Sequence, residues 1–140
     1  RLFGAQIGLD VVIKPGVRVK FPWRLSVGAH SWLGEAAWFD NLEWIRIGSH
    51  CCISQGAYLG TGNHDWSDVA FRLTAQGIEI ADQAWICAHA RIAPGSSIGQ
   101  GAVIAQAAAL SGRAEAWTIY SGSPALAVAQ RRLREHHSPT

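Results

Sequence analysis

I-E-I-A-D-Q-A-W-I-C-A-H-A-R-I-A-P-G-S-S-I-G-Q-G-A-V-I-A-Q-A-A-A-L, from Ile78 to Leu110, decides the fold. Ile80, Ile86, Ile92, Ile98, Ile104 and Leu110 recur every six residues. The same step runs upstream in triplets: Ile7, Ile13, Val19; then Val27, Leu33, Phe39; then Ile47, Ile53, Leu59. Steps of eight separate the triplets, and a step of twenty-one separates Leu59 from Ile80. Four places after each of these positions stands a small residue or valine, except at Trp23, Glu43 and Asn63. Gly, Ala or Ser often follows directly, as at Gly8, Gly28, Gly34, Gly48, Gly60 and Gly99.

A helix repeats its apolar face every three or four residues and a half-buried strand every two. A period of six fits short strands separated by sharp turns, three strands to a triangular coil. The large aliphatic side chain points into the prism and the small one occupies the tight corner. This is the hexapeptide signature of a parallel β-helix. The aliphatic-Gly-x-x-small pattern predicts the left-handed version: an all-β single domain of about five triangular coils over residues 1–140. A sandwich with accidental spacing is the competing fold. It does not explain two residue classes keeping phase through successive coils.

The length suits one domain. A hydrophobic content of 49% against 16% charged residues excludes a disordered chain. No apolar run reaches the roughly 18 residues of a membrane span, so no span is expected. The net charge of +2 is too small to argue for a nucleic-acid partner. The 3 cysteines contain no C-x-x-C pair, and reduced thiols in the cytoplasm are the expectation. The sequence has no methionine, so it is expected to begin inside a longer product or to have been trimmed.

Trp23, Glu43 and Asn63 mark the third corner of successive coils, where the six-residue step is interrupted. Stacked strands lie about 4.8 Å apart. Asp40, Asn41 and Glu43 are therefore expected about one coil from the start of a long loop over residues 62–77. Solenoids use such aligned insertions as binding faces. Beyond Pro124, A-L-A-V-A-Q-R-R-L-R-E predicts a short helix over about 124–135, capping the last coil. The tail from His136 to Thr140 is expected to fray.

The loop opens G-T-G-N-H-D-W-S-D, Gly60 to Asp68. An imidazole takes and returns a proton near neutrality, which makes His64 a candidate base beside Asn63 and Asp65. Asp65, Asp68 or a carboxylate of the neighbouring coil are the candidates to orient its ring. A solvated loop histidine is the plainer alternative.

C-I-S-Q-G-A-Y-L-G-T-G-N-H-D (Cys52 to Asp65) resembles the acetyltransferases assigned to colanic acid biosynthesis. These belong to the hexapeptide acyltransferases, with galactoside and maltose O-acetyltransferases as cousins. Ile78 to Gly95, Asp40 to His50 and W-T-I-Y-S-G-S-P-A (Trp117 to Ala125) extend the likeness over most of the chain. The resemblance implies transfer of an acetyl group from acetyl-CoA to a sugar hydroxyl. His64 is then the general base, Asn63 and Asp65 accompany it in the catalytic group, and backbone N–H groups stabilise the tetrahedral oxyanion. By their corner, Asp40, Asn41 and Glu43 are the acceptor-side candidates, with Asp40 and Asn41 expected to position the acceptor or His64. The resemblance further implies a homotrimer with CoA between subunits, along Trp85, Ala88, Ala105 and Ser111. Outward Trp85 serves equally well as subunit packing, and small residues also satisfy coil corners. The Thr-Lys pair of the cousins is Ser111-Gly112 here, and their G-N-P-A-K is Gly122-Ser123-Pro124-Ala125-Leu126. Arg113, Arg131 and Arg132 are the candidate replacements for the missing phosphate-binding lysines. A solvated face accounts equally well for the last two.

Two other readings share this coil. A γ-class carbonic anhydrase needs three zinc-binding histidines from adjacent coils. His30, His50, His64 and His89 include no close pair, while His30 and His50 should stack outside as packing, so no metal is expected. A non-catalytic β-helix scaffold leaves His64 at the mouth of a long loop without a purpose.

Overall fold

The computed structural model of the chain describes residues 2–135. Three parallel sheets form the faces of a left-handed triangular prism. Coil one is Gln6–Ile7, Val12–Ile13 and Arg18–Val19, and coil two is Leu25–Val27, Trp32–Leu33 and Trp38–Asp40. Coil three is Ile45–Ile47, Cys52–Ile53 and Tyr58–Gly60, and coil four is Ile78–Ile80, Trp85–Ile86 and Arg91–Ile92. Coil five is Ser97–Ile98, Val103–Ile104 and Ala109–Leu110. Arg113–Ala114 and Thr118–Ser121 make two sides of a sixth. Each strand pairs in parallel with its counterpart one coil away, in the register Ile47↔Ile80↔Ile98↔Ala114 on the first face.

The six-residue column is the core. Leu33, Phe39, Ile53, Leu59, Ile86 and Ile104 are fully buried. Burying one such side chain contributes about 1.5–3 kcal/mol. The first coil is the open end of the prism, and there Ile13 is 51% exposed. Leu25, Ile45 and Ile78 form a further buried column. The third-corner insertions lengthen these first-face strands by one inward position, which the period of six does not reveal.

The corners explain the small residues. Three places after each inward residue the backbone turns left-handed, at Asp10, His30, His50, Gln83, Gly101 and Trp117 on the first corner. Gly16, Ala36, Gly56, His89 and Ala107 do the same on the second. At Gly34 a Cβ atom would stand 2.5 Å from the backbone nitrogen of Gln55, so the coils stack only without one.

Two expectations are corrected at the C-terminus. Ala114 is not a corner residue: it pairs with Ile98 in the inward column, because the turn after Leu110 is shortened. No helix forms over 124–135. Leu126–Gln130 is a strand, antiparallel to Thr118–Ser121. The last coil leaves a sheet edge of unpaired N–H and C=O groups, and an added strand satisfies them where a helix would not. The alternation of Leu126 and Val128 suits that strand. Residues 131–135 are irregular, and the tail His136 to Thr140 lies outside the described residues. Among the described residues no helix is long and apolar enough to cross a membrane.

Candidate active site

The long insertion is a β-hairpin rather than an open loop. Gly62–His64 pairs antiparallel with Leu73–Ala75, in the register Asn63↔Thr74 and His64↔Leu73. Its base is clamped to the neighbouring coils. The Gln76 N–H donates to the Thr61 carbonyl at 2.9 Å, and the Gly95 N–H donates to the Gln76 carbonyl at 3.2 Å. Thr61 is fully buried; its N–H donates to the Asp40 carbonyl at 3.2 Å and its hydroxyl accepts the Glu43 N–H at 2.9 Å. The hairpin thus springs from the corner that carries Asp40 to Glu43, and Asp40 sits in register with Gly60.

His64 is exposed on this hairpin. Its Nδ1 lies 3.0 Å from the carbonyl oxygen of Phe71. Its ring stacks on the Phe71 ring with centroids 4.3 Å apart and planes 5° from parallel. A carbonyl only accepts, so Nδ1 carries the proton and Nε2 holds the free lone pair. Among the described residues no carboxylate orients the ring. Asp65 instead accepts from the Ser67 N–H and hydroxyl, and the Ser67 hydroxyl holds its carboxyl below the usual carboxylate range. Asp68 accepts from the Ala70 N–H and faces Arg72 at 3.5 Å. Asn63 Oδ1 accepts the His64 N–H at 2.8 Å, which braces the hairpin strand. Sequence reasoning missed Phe71, since a main-chain acceptor leaves no trace in residue type.

The three acceptor-side candidates differ in place. Asp40 accepts from the Tyr58 hydroxyl at 2.7 Å and faces Lys20 Nζ at 3.5 Å. Burial first, and then the Asp40 carboxylate, push the Tyr58 phenol up from 10.0 to about 12. Glu43 turns back on its own chain and accepts the Trp44 N–H at 2.9 Å. Asn41 is fully buried. Its amide accepts from the Phe21 N–H and donates to the Phe21 and Arg24 carbonyls at 2.9 to 3.0 Å. It staples the preceding corner and is closed to direct contact with a ligand.

The cofactor-side candidates do not gather into one site within one chain. Ser111 lines a cleft of about 220 Å³ with Tyr58, Gly60, Gly62, Arg91 and Ala109, at the hairpin base. Trp85 stands on the second face, 43% exposed, and its indole N–H donates to the Ser54 hydroxyl at 2.8 Å. Ala88 and Ala105 belong to the second corner, where the Ala107 N–H donates to the Ala88 carbonyl at 3.0 Å. Arg113 lies on the first face, 3.2 Å from Glu115. Arg131 reaches the first corner and donates to the Gln83 and Gly101 carbonyls at 2.8 and 3.1 Å. Arg132 lies in the irregular segment after the last strand.

The cysteines are unpaired. Burial pushes the Cys51 thiol up and the Cys87 thiol to about 11, so both are protonated at neutral pH and poor nucleophiles. His30 and His50 stack at 5.0 Å on the first corner with Asp10 3.5 Å from His30. Among the described residues no group of three His, Cys, Asp or Glu side chains is gathered to hold a metal.

No family model matches the chain. Over 131 residues it is 37% identical to the Escherichia coli (strain K12) protein named "Putative colanic acid biosynthesis acetyltransferase WcaF", covering 94% of this chain and 72% of that one. A hexapeptide-repeat-containing acetyltransferase from Vibrio cholerae O1 biovar eltor, complexed with acetyl coenzyme A, superposes with a TM-score of 0.86 at 22% identity. That likeness covers 94% of this chain and 73% of the other. A maltose O-acetyltransferase from Clostridium difficile 630 gives 0.86 at 21% identity, over 94% and 72% of the two chains. These superpositions establish the fold.

Proposed function

Because the chain belongs to the hexapeptide-repeat acetyltransferases, in the company of WcaF, we propose that it moves the acetyl group of acetyl-CoA to a hydroxyl of a sugar or glycan, with His64 as general base. The observation that carries this reading is the His64 ring. It is held by Phe71 through Nδ1 and exposed on the hairpin that rises from the cleft of Tyr58, Gly60, Gly62 and Ser111.

Nε2 accepts the proton of the acceptor hydroxyl as its oxygen attacks the thioester carbonyl. The tetrahedral intermediate then expels the CoA thiolate, which takes the proton back from the imidazolium. His64 ends neutral, and no acyl-enzyme is formed. The protonated state of Cys51 and Cys87 is consistent with direct transfer. Asp40, paired with Tyr58 and Lys20, is the polar group beside the hairpin base that meets the acceptor. Asn41 and Glu43 shape the corner that presents it, as Asn63 and Asp65 shape the hairpin around His64.

Kinship with WcaF supports a glycan acceptor, as in exopolysaccharide assembly. Unpaired cysteines support the reducing cytoplasm as the place of reaction. The outward column of the second face runs Val12, Trp32, Cys52, Trp85, Val103 and Ile119. Such an apolar stripe supports a homotrimer with the active sites between subunits. The test is CoA release from acetyl-CoA with a panel of nucleotide sugars and oligosaccharides, with His64→Ala as control. Absence of acceptor-dependent release across the panel, or equal release by His64→Ala, would overturn the reading.

A further inference from the structure

Among the described residues, the cations of the coils, the hairpin and Arg131 are engaged with one exception. Lys20, Arg46, Arg72 and Arg113 face carboxylates at 3.2 to 3.5 Å. Lys14 and Arg18 lie over the Trp32 and Trp38 rings, while Arg24 and Arg131 donate to backbone carbonyls. Arg91 differs. Among the described residues no carboxylate, carbonyl or aromatic face takes its guanidinium; the same holds for Arg132 and Arg134, but these lie in the irregular segment after the last strand.

Its position on the coil sets it apart from those two. Arg91 projects outward from the third face of coil four, in register between Tyr58 and Ala109. Two clefts meet at it. One is the cleft of about 220 Å³ at the hairpin base. The other, of about 350 Å³, is lined by Trp38, Gly56, Tyr58, His89 and Arg91. A ligand lying along this face would pass the guanidinium whichever cleft its end occupied. The floor at Gly60, Gly62, Ala93 and Ala109 admits a thin chain, and His89 lines the far side of the second cleft. Tyr58 stays protonated through neutral pH, and the Asp40 carboxylate to which it donates is offset by Lys20 at 3.5 Å.

We propose that Arg91 is a binding residue for a phosphate group of a substrate, held by the fork of guanidinium N–H donors. The inference deepens the acetyltransferase reading and rests on it for the identity of the substrate. CoA carries a pyrophosphate and a 3′-phosphate, and nucleotide-linked sugars carry a pyrophosphate; the chemistry is shared. It also supplies an anion site in place of the missing lysines at Ser111-Gly112, because Arg113 and Arg131 are occupied elsewhere and Arg132 lies off the coils in the irregular segment after the last strand.

Binding separates the sources without requiring turnover. Calorimetry with CoA, pantetheine and UDP-glucose would be run on the wild type, Arg91→Ala and Arg91→Lys. The expected result is about tenfold weaker binding of a phosphate-bearing ligand by Arg91→Ala, in line with a charge-assisted hydrogen bond at an exposed site, with Arg91→Lys between. Pantetheine binding should not change. A loss confined to CoA assigns the donor phosphate, and one confined to UDP-glucose assigns the acceptor phosphate. Wild-type affinity of Arg91→Ala for both phosphate ligands, or equal loss for pantetheine, would overturn the proposal. His64→Ala keeps the two ideas apart: it should bind CoA normally while failing to turn over. A wild type that binds CoA through Arg91 but acetylates nothing would sink the proposed reaction alone.

Discussion

The Nδ1 of His64 stands 3.0 Å from the carbonyl oxygen of Phe71, and this contact decides which nitrogen of the ring is basic. Losing the imidazole removes the proton acceptor and nothing that holds the coils. His64→Ala is expected to lower acetyl transfer about 10²–10⁴-fold with an unchanged circular dichroism spectrum and melting point. Wild-type-like turnover would dismiss the base assignment.

Phe71 supplies two things, a carbonyl and a ring. Phe71→Ala keeps the first and removes the second. A stacked aromatic pair contributes about 0.5–1.5 kcal/mol beyond its burial, which corresponds to a fall in kcat of about 2–10-fold if the ring holds His64 in position. KM for acetyl-CoA should not move. A change in KM alone would mean that the ring meets ligand instead.

The Tyr58–Asp40 pair makes a pH prediction. Burial first, then the hydrogen bond and charge of Asp40, push the phenol from 10.0 to about 12. The folded state therefore favours the protonated phenol. Its contribution to stability is complete below about pH 10 and is lost as pH rises through about 12. In Asp40→Asn the phenolate absorbance of Tyr58, isolated by subtracting Tyr58→Phe, should appear at lower pH than in the wild type. An unchanged titration would show that Asp40 does not hold the proton on Tyr58.

The prism was legible in the sequence because each coil repeats one physical requirement. A large side chain fills the interior, and a corner such as Gly34, with Gln55 backbone 2.5 Å from a would-be Cβ, admits nothing larger. The insertion and its neighbour corner were legible because Trp23, Glu43 and Asn63 break that requirement in phase. What lacked a signal is of another kind. The Phe71 carbonyl is main chain. Asn41 reads as a polar insertion residue whether it points out or, as here, in. Arg91 sits on an outward position, where the repeat places no constraint and residue type alone distinguishes it. The C-terminal strand went unseen because A-L-A-V-A-Q fits either period, and the free edge of the last coil decided between them.

Outward Trp32 and Trp85, 44% and 43% exposed on the second face, bear on assembly. A trimer is expected by light scattering, and Trp32→Asp with Trp85→Asp should release monomers that keep the coil spectrum. A wild type that is monomeric at micromolar concentration would remove the trimer. A trimer that survives both substitutions would move its interface to another face.

Asp40 and Asn41 are neighbours in sequence with opposite duties. Asn41 is fully buried and ties Phe21 and Arg24 into the corner. Asn41→Ala strips one donor and two acceptors of their partner. A buried group left unsatisfied costs about 1–3 kcal/mol, but Phe21 and Arg24 are only half-buried and water replaces part of what they lose, so about 2–4 kcal/mol in all is expected in urea unfolding, with any fall in activity tracking the unfolded fraction. Asp40 is partly exposed, with Lys20 and Tyr58 as partners. Asp40→Ala removes an exposed ion pair and the hydrogen bond from Tyr58 and should cost about 1–2 kcal/mol, yet raise the acceptor KM while leaving the acetyl-CoA KM alone. If Asp40→Ala left both kinetic constants untouched, Asp40 would lose its place at the acceptor. If Asn41→Ala altered the acceptor KM without destabilising the chain, the corner staple would be the wrong account of Asn41.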